Sequence, residues 1–136
     1  MSHLGMITVV VDDYDSAIDY YTKALGFTLI EDTKMSDVKR WVVVAPSNQG
    51  ARILLAKAVN ETQKAAIGNS TGGRVGFFMY TTKFSQTYEL YKSRGIRFIE
   101  EPRQETYGQV VVFTDKYGNK WDLIEQNEID GRRLSE

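Results

Sequence analysis

GFTLIED, residues 26–32, returns later in the chain as GIRFIEE, residues 95–101. Gly26, Ile30 and Glu31 recur as Gly95, Ile99 and Glu100, each 69 residues on in a chain of 136. In both places a helical pattern ends, a glycine follows, and a strand-like run begins. Glycine suits the left-handed turn that closes a helix, so each copy reads as the joint between a helix and the next strand. A joint stated twice at half the chain length implies a duplicated unit.

Reading outward from the first copy, MITVVV (6–11) is β-branched and apolar, as buried strands are. DDYD supplies a helix cap, from Asp15 or a neighbouring aspartate. Ala17, Tyr20, Tyr21, Ala24 and Leu25 then recur at steps of three and four, a single apolar stripe on a helix. FTLIED, KRWVVVAP and ARILLAKA follow as three more strands. Around the second copy the same order returns. RVGFFMY is a strand, and FSQTYELYKSR is a helix with Tyr88, Leu90 and Tyr91 facing inward. IRFIEE, GQVVVFTD and KWDLIEQ are strands. Val111 and Val112 fall 69 residues after Val42 and Val43. The expected fold class is α+β: two tandem βαβββ modules forming a mixed, cleft-enclosing sheet. A four-stranded sheet covered by one helix leaves its other face open, and a second copy can cover it. The expected organisation is one domain over 1–136. Module one spans about 6–57, a connector about 58–73 with at most one short helical turn, module two about 74–126, and a polar tail 127–136.

Composition narrows the function. With 17 basic and 18 acidic residues the net charge is −1, which argues against nucleic acid or an anionic membrane as partner. No apolar run approaches the roughly 20 residues needed to span a bilayer, and MSHLGM lacks the features of a signal peptide. The chain has no cysteine, which removes disulfides, thiolate metal sites and cysteine nucleophiles. A cytoplasmic location is expected.

VVVDDYDSAIDYYTKALGF resembles the opening of the vicinal oxygen chelate superfamily, which includes glyoxalase I, bleomycin resistance proteins and extradiol dioxygenases. DKYGNKWDLIEQ is similar to that family's closing turn and strand. With the repeat, the resemblance covers about residues 6–126. It implies four metal-ligand positions, one near the start of each module's first strand and one on each module's last strand. Those positions fall on Met6, Val75, Ile53 or Leu54, and Asp122. A thioether is a poor ligand for a hard or borderline divalent ion, and aliphatic side chains are none at all. Neither a metal nor a cofactor is therefore expected. The sole histidine, His3, lies three residues before the first position and reads as a terminal residue.

If Met6 faces the cleft, strand alternation brings Thr8 with it; if Val75 does, Phe77 and Met79 follow. Trp41 and Tyr107 are candidates for stacking on a planar ligand, and Arg40 for meeting an anion. Arg52 is a candidate partner of Asp122, either as a structural ion pair or as a polar anchor for a ligand. Trp121, on the opposite face from Asp122, reads as core. The expected ligand-binding set is thus Met6, Thr8, Arg40, Trp41, Arg52, Phe77, Met79, Tyr107 and Asp122, with Asp122 the one candidate for catalysis. The expected function is metal-independent sequestration of a small molecule by a homodimer. The alternatives are a glyoxalase-like lyase, a dioxygenase-like enzyme, or a regulatory domain with a vestigial cleft.

Overall fold

The computed structural model describes residues 1–129 and 132–133. The fold is mixed α+β, and the chain divides into two compact units, Met1–Ser70 and Thr71–Glu136.

The first unit runs β1 (Met6–Val11), α1 (Tyr14–Asp19), β2 (Thr28–Lys34), β3 (Arg40–Ala45), β4 (Arg52–Lys57) and α2 (Glu61–Ala66). Its sheet has the order β1-β4-β3-β2, with β1 parallel to β4 and the other pairs antiparallel. Asp13 is the aspartate that caps α1, accepting from the Ser16 N–H at 2.8 Å. Over Tyr20–Ala24 the helix widens into a π turn, with the Leu25 N–H reaching Tyr20 O at 3.2 Å. Gly26 then takes φ 75°, the left-handed conformation that ends the helix. Ala17, Tyr21 and Leu25 are buried on the helix, as are Val9, Val11, Val42, Val44, Ile53 and Leu55 of the sheet. The connector contains one short helix, α2, capped by Asn60 through the Gln63 N–H.

The second unit runs β5 (Val75–Thr81), α3 (Phe84–Ser93), β6 (Arg97–Phe98), β7 (Arg103–Glu105), β8 (Gly108–Thr114) and β9 (Lys120–Glu125). Its sheet has the order β5-β9-β8-β6, and β7 also pairs with β8. Phe84 and Tyr91 are the buried residues of α3, seven apart on one face. Leu90, expected to face inward, is 45% exposed, because it lies one step round the helix from Tyr91. The core here is aromatic: Phe113 meets Tyr91 edge-on at 5.5 Å and stacks against Trp121 at 5.9 Å between centroids. The expected tail, 127–136, falls largely outside the described residues; within it, β10 (Glu128–Ile129) pairs with β11 (Arg132–Arg133).

The repeated stretch departs from regular pairing in each unit. Leu29 pairs with Val44 and Glu31 with Val43, so Ile30 is an extra residue, a bulge. Sixty-nine residues on, Phe98 pairs with Phe113, and the Ile99 N–H still reaches Val112 O at 3.1 Å. There the ladder stops. Glu100 accepts the Val112 N–H through its side chain at 3.0 Å, and Pro102 has no N–H to continue the pairing. Of the strand expected over 96–101 only β6 forms, and the pairing with β8 resumes beyond it in β7.

DKYGN closes the second unit through one buried carboxylate. Asp115 Oδ1 accepts from the N–H groups of Tyr117 and Asn119, and Oδ2 accepts from Asn119 Nδ2 at 2.9 Å and Trp121 Nε1 at 3.2 Å. Gly118 turns the chain at φ 95°. The turn thus fixes the ring of Trp121 on the helix side of β9. Among the described residues no helix is long and apolar enough to cross a membrane.

Candidate functional site

In each unit one face of the sheet carries the helix and the other carries the candidate residues. The registers decide which side chains share a face. In the first unit Met6 lies opposite Arg52, Thr8 opposite Leu54, and Leu54 opposite Val43. Alternation adds Trp41 to that face, where it lies opposite Thr33. Met6, Thr8, Trp41 and Arg52 therefore share the face that turns away from α1.

Arg40 does not join them. Its guanidinium donates to Asp32 through Nε at 3.1 Å and Nη2 at 2.7 Å, and to Asp15 through Nη1 at 2.9 Å. It also lies over the Tyr14 ring, 5.2 Å from the centroid. Those bonds, to Asp32 first and then Asp15, raise the guanidinium above its ordinary value, and the one to Arg40 holds Asp32 below the usual carboxylate range. Arg40 is a clamp between the start of α1 and the β2–β3 pair, not an open anion site.

In the second unit Val112 pairs with Asp122, as Val43 pairs with Leu54 in the first. The equivalent of Asp122 is thus Leu54 rather than Ile53. The expected alternation on β5 fails. Val75 pairs with Lys120, yet Phe77 pairs with Trp121, so Gly76 is an extra residue. The bulge turns every later side chain to the other face. Phe77 stacks on Trp121 with centroids 4.6 Å apart, and Met79 follows it opposite Leu123. Phe78 and Tyr80 instead share the face of Asp122 and Ile124, and are 57% and 40% exposed. Phe77 and Met79 therefore leave the candidate set, and Phe78 and Tyr80 enter it. A glycine inside a strand was the available signal. A Cβ at Gly76 would lie 2.7 Å from Thr71 Cγ2, so the chain admits no side chain there without a shift.

Asp122 is the chemically unusual member. Its Oδ1 is buried and accepts no hydrogen bond among the described residues. Burial raises its carboxyl above the usual range; Arg103 opposes that, and Glu100 adds to it. Arg103, on β7 opposite Val110 of β8, is already committed. Its Nε donates to Glu100 Oε2 at 3.1 Å and its Nη1 to Glu105 Oε1 at 2.6 Å. Lys120, two residues before Asp122, donates through Nζ to Gly73 O at 2.9 Å. Sequence reading did not single out Glu100 or Arg103 for this site. Tyr107 stands in the two-residue turn between β7 and β8.

A hollow of about 490 Å³ lies between α3 and β6, walled by Tyr88, Ile96, Phe98, Ile99, Glu100 and Glu101. It holds none of the expected binding residues.

The four implied metal positions carry a thioether (Met6), an isopropyl group (Val75), an isobutyl group (Leu54) and one carboxylate (Asp122). That donor set does not fit a divalent metal centre, which needs several oxygen or nitrogen ligands. Among the described residues no group of three or more His, Cys, Asp or Glu is placed to hold an ion.

Comparison with known proteins gives a consistent picture. The sequence model of the Glyoxalase/Bleomycin resistance protein/Dioxygenase superfamily matches residues 3–123. An uncharacterized protein of Shewanella frigidimarina (strain NCIMB 400) is 47% identical over 124 residues, 90% of this chain and 92% of its own. The crystal structure of UcmS2 is 28% identical with a TM-score of 0.79, covering 91% of this chain and 98% of that one. TnmS3, described as an antibiotic binding protein from Streptomyces sp. CB03234, is 25% identical with a TM-score of 0.73, covering 92% and 98%.

Proposed function

Because this chain belongs to the glyoxalase/bleomycin resistance protein/dioxygenase superfamily, we propose that it is a small-molecule binding protein that sequesters its ligand without a metal. The observation that carries this reading is the donor chemistry of the four implied ligand positions, three of which hold no group able to grip a divalent cation. Binding needs no reactive centre. It needs apolar and aromatic surface with a few polar groups, the usual make-up of a ligand site. Phe78, Tyr80, Ile124 and Asp122 in the second unit, and Met6, Thr8 and Trp41 in the first, are side chains of that kind. The likeness to an antibiotic binding protein supports the same reading.

The test is metal analysis of the purified chain with a thermal-shift screen against metal ions and planar aromatic compounds. A ligand at about 100 times its Kd stabilises the folded state by about 2.7 kcal/mol, well within detection. Stabilisation by aromatic compounds and none by divalent ions is expected. Stoichiometric zinc, manganese or iron would sink the metal-free reading.

One observation favours a second reading. A carboxyl held above its ordinary range on an exposed aromatic face suits a general base, so a lyase acting beside a carbonyl is the alternative. Turnover abolished by D122N would establish it.

In the first reading the protein works as a cytoplasmic homodimer. Exposed Leu29 and Ile30 on β2, the terminal strand of its sheet, support the pairing. Light scattering tests it, a monomer at micromolar concentration being the contrary result.

A further inference from the structure

We propose that the ligand carries a cationic nitrogen, an ammonium or amidinium attached to a flat apolar body, and that Asp122 receives it. This deepens, and rests on, the small-molecule reading.

Three observations converge within the second unit. Among the described residues Asp122 Oδ1 is a buried acceptor with no donor, and such an atom costs free energy until a donor arrives. The nearby cations are engaged elsewhere: Arg103 by Glu100 and Glu105, and Lys120 by Gly73 O. Asp122 shares its face with the exposed Phe78 and Tyr80, whose rings offer stacking surface, and with the aliphatic Val110, Val112 and Ile124. Among the described residues the charges that act on it are Arg103 and Glu100, and Glu105 shares the same guanidinium. With Asp122 ionised, these carboxylates outnumber the one cation, so an anionic ligand meets a net repulsion. An N–H cation gains a charge-assisted hydrogen bond and satisfies the orphan oxygen together.

The experiment is calorimetric titration of the full-length chain at pH 7.5 with three probes of one shape: 1-naphthylmethylammonium, 1-naphthylmethanol and 1-naphthoate. The ammonium should bind about tenfold more tightly than the alcohol, with the carboxylate weakest. D122N keeps the shape and an acceptor oxygen but removes the charge; it should erase the preference of the protein for the ammonium over the alcohol. F78A should weaken the ammonium and the alcohol in parallel, showing that both occupy the aromatic face. Equal affinity of ammonium and alcohol for the wild type, or a preference that survives in D122N, overturns the role of Asp122 and leaves the binding reading standing. Silence from all three probes, with the wider aromatic panel silent too, overturns both.

Discussion

Phe77 lies flat against Trp121, its ring 4.6 Å away and tilted by 22°, while its neighbour Phe78 points to the opposite face of the same sheet. Two adjacent phenylalanines thus have different work. Phe77 belongs to an aromatic core that continues through Trp121 to Phe113. Replacing it with alanine leaves a void beside Trp121 and is expected to cost about 2 kcal/mol. Phe78→Ala should change stability by less than about 0.5 kcal/mol yet weaken binding of aromatic probes. Urea unfolding and titration of both variants check the pair. Reversed effects would place the bulge at the wrong residue.

Asp115 holds the closing turn with four accepted hydrogen bonds, one of them from the Trp121 indole. Asp115→Ala leaves buried donors without acceptors, and a loss of about 3 kcal/mol is expected. Tryptophan emission should shift to the red in the folded variant as the Trp121 surroundings loosen. A variant as stable as wild type would remove this turn from the account of the fold.

Stability should also depend on pH through Asp122. Its carboxyl is raised above the ordinary 3.8 by burial, so the folded chain holds that proton more tightly than the unfolded chain. The associated stabilisation is complete below about pH 3.8 and is lost as pH rises through the raised folded-state value. Asp122→Asn lacks this dependence. The variant is therefore expected to gain stability relative to wild type between acid and neutral pH, and to show no such gain below the ordinary carboxylate value. Chemical denaturation across that range measures it; parallel curves for the two proteins are the contrary result.

Arg40 offers a control for the binding face. Its side chain is 27% exposed and Asp15 is 82% exposed, so solvent screens much of the attraction. Arg40→Met keeps the aliphatic stem over Tyr14. A cost of about 1 kcal/mol at low ionic strength is expected, shrinking in roughly 0.5 M salt, with aromatic-probe affinity unchanged. Loss of binding in this variant would return Arg40 to the ligand site.

Much of this architecture was legible beforehand because it is written in local chemistry. The glycines at 26 and 95 need left-handed backbone, the VVV runs need burial, and the 69-residue offset relates Leu29–Val44 to Phe98–Phe113 pair for pair. Asp122 stood out as the single acid among the implied ligand positions. What alternation concealed was phase. A period-two reading assumes an unbroken ladder, and Gly76 breaks it, so Phe77 and Met79 were assigned the face that Phe78 and Tyr80 occupy. Arg40 was misread for a related reason: the partners that hold it, Asp15 and Asp32, are 25 and 8 residues away, beyond any local pattern. Glu100 was not singled out, because a side chain that replaces a backbone acceptor leaves no trace in composition.

The extra residue at position 76 works as a frameshift written in side chains instead of codons. Everything downstream in that strand exchanges inside for outside in one event, while the hydrogen-bonded scaffold beside it keeps its course. Two units that share one order of helix and strands thereby present unlike surfaces, while the residue pairs at the repeated stretch still match at the same offset.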